Sequence, residues 1–212
     1  GIWRPGHPPQ IKGLDAYTDI YADSRKWFLN GWVDYLAPQL YWAADQTEQS
    51  FPVLLDWWSR QNAKDRHLWP GLNVVNVGEK WLPDEIVRQI EAVRQRGAGG
   101  EILFRMANLA GNRALSDALE ATYTKPALVP ESPWLGPGPV KPLLVITNSG
   151  WPGSLKAAWR TASNEIVRHW VLQTRIDGQW STEILSANRI NRTFGGMTPD
   201  VIAVSAVDRA GN

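Results

Sequence analysis

The chain has 212 residues, and 43% of them are apolar, which is enough for one large domain or two modest ones. Its 22 basic and 21 acidic residues give a net charge of +1, so no basic excess indicates a nucleic-acid partner. The absence of cysteine excludes disulfides, thiol catalysis and cysteine-ligated zinc. No apolar run has the length of a membrane span.

Helical and strand patterns alternate in the first part of the chain. The apolar spacing predicts four helices and three strands, the helices over 17–30, 50–63, 83–97 and 112–123 and the strands over 32–42, 67–75 and 101–106. The first helix carries its apolar residues in a single stripe of Tyr17, Ile20, Tyr21, Trp27 and Phe28. Regularly spaced strands separated by helices indicate a parallel sheet. Three strands cannot close an α/β barrel, which needs eight.

Residues 124–142 carry six prolines, a density that neither a helix nor a central strand tolerates. This segment is predicted to be a stiff linker that separates residues 1–123 from a second domain at 143–212. Trp134 and Leu135 indicate that it is docked on a surface.

The last 70 or so residues change to a period of two, which is typical of strands in an all-β domain. The predicted strands are 143–150, 154–161, 168–176, 180–185 and 201–212, with turn signals at Asp177-Gly178 and Gly195-Gly196. This pattern predicts an immunoglobulin-like β-sandwich. Trp159 and Trp170 are predicted to lie in the core between its sheets.

Tryptophan is unusually abundant, with 13 residues against 5 Tyr and 4 Phe. Large rings of this kind most often fill a core or pack one element on another. The functional alternative is a surface that stacks on sugar rings, because an indole offers a flat apolar face and an N–H donor.

Several motifs in residues 1–123 resemble the second half of the glycosyl-hydrolase-like ten family. They are "GIWRPG", "YADSRKW", "DYLAPQLYW", "LLDWW" and "EILFRMANL", in order and with matching spacing. Members of that family are bacterial envelope or secreted proteins with a (β/α)8 barrel, and at least one branch cleaves peptidoglycan glycan strands. The resemblance implies that 33–41, 68–74 and 101–105 are barrel strands six, seven and eight.

That resemblance also implies what the chain lacks. Strands one to five have no counterpart, and neither does the acidic motif that the family carries at the end of strand four, its principal candidate for the catalytic acid. The chain alone is therefore expected to be inactive, and to have as its partner the missing N-terminal half of the barrel, in the same protein or in another chain. An extracytoplasmic location in a bacterium is expected, whether periplasmic, lipoprotein-anchored or secreted.

The C-terminal segment "VIAVSAVDRAGN" resembles a fibronectin type III module near its penultimate strand. Ile202 stands where that module usually has a tyrosine, and no final strand follows Asn212. The expected fold is thus a partial TIM-type (β/α) barrel followed by a fibronectin III-like sandwich that lacks its last strand.

The candidate site residues follow from the rule that reactive groups in an α/β barrel lie at the carboxyl ends of the strands. The acids nearest that edge are Asp45, Glu48 and Glu79. Glycoside hydrolysis usually takes two carboxylic groups, one of which protonates the leaving oxygen. Each of the three acids is alternatively a solvated loop charge.

The candidate substrate-binding residues are aromatic, amide and arginine side chains: Trp3, Arg4, Gln39, Tyr41, Trp42, Asn73 and Arg105. Gln39 and Tyr41 share one strand face, where they either bind sugar hydroxyls or form a hydrogen-bonded core layer. The three histidines lie far apart in the sequence, so no metal site is expected. No Gly-rich phosphate loop follows a strand, and no cofactor is expected.

Three functions remain in competition. The first is a part of a bacterial glycoside hydrolase-like protein that acts on cell-wall or other polysaccharides, with its main catalytic acid outside this chain. The second is a carbohydrate- or cell-wall-binding protein without catalysis. The third is a structural or adhesive segment.

Overall fold

The computed structural model describes residues 1–151 and 153–212, and the chain divides into two units, Gly1–Thr124 and Lys125–Asn212. The first unit mixes helices with short parallel strands, and the second is all-β. Each unit has its own cluster of buried apolar side chains.

Three adjacent parallel strand segments form the centre of the first unit. Their regular parts are β1 (Tyr35–Leu36), β2 (His67–Leu68), β3 (Gly71–Asn73) and β4 (Ile102–Phe104). Strand β1 pairs with β2, and β3 pairs with β4, both in parallel. A bridge between Gln39 and Gly71 joins the two pairs, so the segments 35–39, 67–73 and 102–104 lie side by side.

The helices of this unit vary in length from one turn to more than three. They are α1 (Ala16–Asp19), α2 (Ser24–Leu29), α3 (Phe51–Arg60), α4 (Pro83–Gln95), α5 (Met106–Ala110) and α6 (Arg113–Thr122), with a 3₁₀ turn at Val74–Asn76. Helix α4 buries Ile86, Ile90 and Val93, as its spacing predicts, and Gly97 follows it with a φ of 68°.

The two faces of the parallel strands differ sharply in burial. Leucines on one face pack with α3 and α4 into the core of the first unit: Leu36, Leu40, Leu68, Leu72 and Leu103. The alternate positions form what we call the open face: Tyr35, Gln39, Tyr41, His67, Trp69, Ile102 and Phe104. Its side chains are exposed or half-buried, with Tyr35 50% and Phe104 45% exposed. A parallel sheet usually buries both faces, whereas this one leaves Tyr35, Ile102 and Phe104 exposed.

The prediction of one continuous helix over 17–30 is wrong. Helix α1 ends at Asp19, and Tyr21 adopts a left-handed φ of 55° before α2 begins. Asp23 starts that second helix because its carboxylate accepts the Lys26 N–H at 3.2 Å. Of the predicted apolar stripe, only Phe28 is buried.

In the first unit, the predicted strands are longer than the observed ones. The segment predicted as strand 32–42 pairs regularly only at Tyr35–Leu36, because Pro38 has no N–H to donate. Pro70 likewise separates β2 from β3. The backbone direction nevertheless continues, since the Gly71 N–H donates to Pro38 O at 2.8 Å.

The second unit contains two antiparallel three-stranded sheets. Its strands are β5 (Leu143–Asn148), β6 (Leu155–Arg160), β7 (His169–Ile176), β8 (Gln179–Ser186), β9 (Asn191–Phe194) and β10 (Val201–Val207). The orders are β5-β6-β9 and β10-β7-β8. Trp159 and Trp170 are buried in one apolar cluster with residues of both sheets, as predicted. The short strand β9 was not predicted.

The proline-rich segment belongs to the second unit in this structure. The Ser132 N–H donates to Ala210 O at 2.9 Å, and the Asn212 amide donates to the carbonyls of Ser132 and Gly136. Residues 132–136 are therefore tied to the loop that follows β10. Across the described residues, no helix is long and apolar enough to cross a membrane.

Candidate functional site

A cleft of about 470 Å³ lies beside the carboxyl end of the first strand segment, and we call it the first cleft. It is lined by Gly1, Ile2, Gly13, Leu14, Ala16, Ile20, Gln39, Tyr41, Trp42 and Gln49. Gln39, Tyr41 and Trp42 were all predicted to bind substrate. The lining is apolar and aromatic apart from two amides, and it contains no carboxylate. Such a surface suits a neutral ligand with apolar faces and hydroxyl groups.

Tyr41 lies across the neighbouring strand and stacks on Phe104, with 5.5 Å between ring centroids and 26° between planes. Glycine at position 71 makes this possible, because a Cβ there would stand 3.0 Å from the Tyr41 ring. Burial raises the pKa of Tyr41 above its ordinary value, and the protonated hydroxyl can donate a hydrogen bond. The pair forms a flat aromatic floor at the carboxyl edge of the strands.

The segment that carries Trp42 is held from behind by helix α4. Gln89 donates its amide to Trp42 O at 3.2 Å, and Glu85 accepts the Ala44 N–H at 2.7 Å. Glu85 and Gln89 are both buried. The position of Trp42 therefore depends on polar groups of a neighbouring helix.

Trp3 and Arg4 do not line the first cleft. The Trp3 ring stacks on Trp57 at 5.9 Å, and its Nε1–H donates to Asp23 at 3.1 Å. The guanidinium of Arg25 lies 5.2 Å from the Trp3 ring centroid. Arg4 pairs with Asp15 at 3.2 Å. Both predicted binding residues thus hold the N-terminal segment in place.

None of the three predicted acids lines the first cleft. Asp45 lines a second cleft of about 520 Å³, together with Ala43, Lys80, Trp81, Leu82, Asp84, Glu85 and Arg88. Glu48 forms an ion pair with Lys12, and Glu79 lies exposed in the turn after the 3₁₀ helix. Neither Glu48 nor Glu79 lines the first or the second cleft.

Asn73 and Arg105 make local contacts. The Asn73 side chain accepts the Val75 N–H at 3.1 Å and so caps the 3₁₀ turn. The exposed Arg105 donates to Asn108 at 3.0 Å. Asn73 pairs in register with Phe104, which places it at the same level of the strands as the aromatic floor.

Three residues of the site were missed by the sequence reasoning: Phe104, Glu85 and Gln89. Strand alternation through Ile102 signals Phe104, which lies one residue before the predicted Arg105. No comparable signal exists for Glu85, because an acid in the first turn of a helix is normally explained by the helix dipole.

Comparisons with known proteins bear on the first unit most directly. Residues 6–86 match the family model described as Glycosyl hydrolase-like 10. The chain is 33% identical over 207 residues to the glycosyl hydrolase YngK of Bacillus subtilis, a match that covers 89% of the chain. It is 37% identical over 123 residues to the glycosyl hydrolase DigH of Escherichia coli K12, which covers 50% of the chain.

The chain spans only part of these relatives, 40% of the Bacillus protein and 28% of the Escherichia coli protein. The matches support the resemblance carried by the sequence motifs, and with it a glycoside hydrolase-like protein with bacterial relatives.

Proposed function

We propose that this chain is part of a bacterial glycoside hydrolase-like protein, and that its first cleft binds a polysaccharide. The main catalytic acid would come from outside the chain. The observation that carries the proposal is the first cleft itself, with the aromatic and amide side chains of Gln39, Tyr41 and Trp42 and no lining carboxylate. Aromatic faces with nearby amides suit pyranose rings and their hydroxyls.

The open face supports a further part of the proposal. A βαβ sheet of this kind is normally covered on both faces, yet aromatic side chains of all three strand segments remain accessible here. Barrel strands turn one face inward, so the open face fits the interior of a partial (β/α)8 barrel. Its partner would be the N-terminal half of that barrel, in the same protein or in another chain.

The positions of the three predicted acids support a catalytic group from outside the chain. Glycosidases place two carboxyl groups about 5–9.5 Å apart across the scissile bond. Of the three predicted acids, only Asp45 lines one of the two clefts, and Glu48 is already paired with Lys12. Asp45, which lines a cleft, is the one of the three that we retain as a candidate second carboxylate.

The binding proposal is tested by co-sedimentation of the chain with purified peptidoglycan. Removal of an aromatic stacking partner is expected to weaken retention about tenfold in Trp42→Ala and in Phe104→Ala. Trp32→Ala is the matched control, because Trp32 is 65% exposed and precedes the amino end of β1, away from the first cleft. Retention of both Trp42→Ala and Phe104→Ala at the wild-type level would contradict the proposal.

Catalysis is tested separately by the release of reducing ends from the same glycan. We expect none from the 212-residue chain, and release only when a segment supplying further barrel strands is present. Hydrolysis by the chain alone would contradict an external acid.

A non-catalytic carbohydrate- or cell-wall-binding protein is the second candidate, favoured by the absence of a carboxylate from the first cleft. It would retain the glycan and show no hydrolysis with any added segment.

For the second unit we propose a fibronectin III-like module that spaces or anchors the first on an extracytoplasmic surface. The orders β5-β6-β9 and β10-β7-β8 fit such a sandwich without its last strand.

A further inference from the structure

Two buried polar side chains of helix α4, Glu85 and Gln89, contact the loop after the first strand segment. Glu85 is only 4% exposed, and Gln89 is fully buried. Buried charges and amides are costly unless they are paired, so these two require an account of what they gain.

Glu85 occupies the third position of α4, where a glutamate commonly folds back to cap the start of its own helix. Here the carboxylate instead accepts hydrogen bonds from Ala44 N–H at 2.7 Å, Gln89 at 2.8 Å and Arg88 at 2.5 Å. One of these three donors lies on a segment 41 residues away in sequence. The acid therefore joins helix α4 to the loop after the first strand segment.

Gln89 also donates to the loop, and one of its own polar atoms is left without a partner. Its Nε2 donates to Trp42 O at 3.2 Å and to Glu85 at 2.8 Å. Its Oε1 has no hydrogen-bond partner in the described part of the chain, although it is buried. An apolar residue of similar length would fill this position without that penalty. It would also leave the Glu85 carboxylate and the Trp42 carbonyl with one donor fewer each, so glutamine is explained here by the two hydrogen bonds that it donates.

We propose that Glu85 and Gln89 are positioning residues for glycan binding in the first cleft. Together they fix the backbone from Trp42 to Ala44, and so set the direction in which the Trp42 ring enters the cleft. This inference rests on the proposed glycan-binding function, and neither side chain needs to touch the ligand.

The first test is a double-mutant cycle measured by retention on purified peptidoglycan in the full chain. Gln89→Met keeps the side-chain length and removes both donated hydrogen bonds, and we expect about tenfold weaker retention. Because the effect passes through Trp42, adding Gln89→Met to Trp42→Ala is expected to cause no further loss. The control is Gln95→Met, the same substitution at an exposed position of α4.

A second readout separates positioning from folding. Gln89→Met is expected to lower the apparent unfolding midpoint, because the buried Glu85 carboxylate and the Trp42 carbonyl each lose a donor. Retention is therefore compared at temperatures well below that midpoint, where the variant is folded. Additive losses in the cycle, or unchanged retention of Gln89→Met beside a clear loss in Trp42→Ala, would overturn the inference and leave the proposed function standing.

The third readout needs no glycan, so it tests the contact between Glu85 and the loop even if the wild-type chain does not bind peptidoglycan. Hydrogen exchange of the Ala44 amide is expected to accelerate in Glu85→Leu, which removes its acceptor, and to stay slow in Glu85→Gln, which keeps an acceptor oxygen. Equal protection in both variants would show that Glu85 does not hold the loop. If the wild type shows no glycan retention but the exchange pattern is as expected, the glycan-binding function is overturned, and the role of Glu85 in binding with it. The contact between Glu85 and the loop would still stand.

Discussion

Trp3 and Trp42 are both tryptophans beside the same strand segments, yet their surroundings differ. Trp3 has Trp57 on its ring, Arg25 close to it and Asp23 on its nitrogen. Trp42 lines the first cleft and is held through its backbone. A sequence contains no record of which of two similar rings has its faces occupied, so both were predicted as stacking platforms.

This difference gives a prediction about Trp3. Trp3→Ala is expected to lower the free energy of unfolding by roughly 3 kcal/mol, because it removes a ring packed on several neighbours. Trp42→Ala should cost less stability and more glycan retention. Urea denaturation of the two variants measures the contrast. Wild-type stability of Trp3→Ala combined with lost retention would identify Trp3 as a ligand platform instead.

Tyr123 shows how a single phenol links stability to pH. It donates a hydrogen bond to Glu101, and Arg94 lies 5.3 Å from its ring centroid. Burial, with the Glu101 carboxylate beside it, raises the pKa of Tyr123 well above its ordinary value of 10.0. In the unfolded chain the phenol loses its proton near pH 10, whereas in the folded chain it keeps it.

The folded state therefore binds more protons than the unfolded state above about pH 10, and stability must fall as the pH rises through that range. Tyr123→Phe is expected to flatten the fall between pH 9 and 11, measured by urea denaturation at a series of pH values. Tyr21→Phe is the control, because that ring is 89% exposed. An unchanged slope in Tyr123→Phe would show that the phenol is not responsible.

At the scale of elements, sequence periodicity predicts helix α4 well and the segment over 16–29 poorly. The apolar residues of α4 recur at helical spacing, and Pro83 and Gly97 mark its ends. In the other segment the spacing fits a helix equally well, but capping by Asp15 and Asp23 produces two short helices with a break at Tyr21. Local side-chain hydrogen bonds outweigh weak periodicity over such short lengths.

The candidate site, like the helices, could be predicted only in part. Strand alternation and the carboxyl-end rule indicate Gln39, Tyr41 and Trp42, which meet in the first cleft. The roles of Glu85, Gly71 and Phe104 depend on which strands become neighbours, and this is a property of the fold that no short window contains. Of the three predicted acids, only Asp45 lines either cleft, because a loop position fixes sequence distance from a strand end and not direction in space.

Substitution of Gly71 tests the stacking of Tyr41 on Phe104 across the three strand segments. Gly71→Ala places a Cβ 3.0 Å from Tyr41, so the ring must shift from Phe104. We expect a loss of about 1–3 kcal/mol in stability. In a Tyr41→Ala background the same substitution should be neutral, because the space is then free. Thermal or urea unfolding of the four proteins measures the coupling, and additive effects would contradict the contact.

At the scale of the molecule, the two units differ in how completely they bury their strands. In the second, Trp159 and Trp170 lie between two sheets with apolar residues from both. In the first, one face of the parallel strands is buried under helices, and the open face keeps large aromatic side chains accessible. Fold class could be predicted for both units, but the extent of the open face could not, since it depends on which strands are present.

The open face should make the isolated chain bind hydrophobic dyes and self-associate. Contiguous exposed aromatic surface normally binds a partner, so we expect the chain to bind the dye ANS and to self-associate at micromolar concentration. Tyr35→Ser combined with Phe104→Ser should reduce both effects, because these are exposed rings at opposite ends of the open face. Trp151→Ser, at a 79% exposed ring of the second unit, is the control. Fluorescence titration and light scattering measure the two effects. A monodisperse monomer that binds no dye would contradict the proposal that the open face fits the interior of a partial barrel.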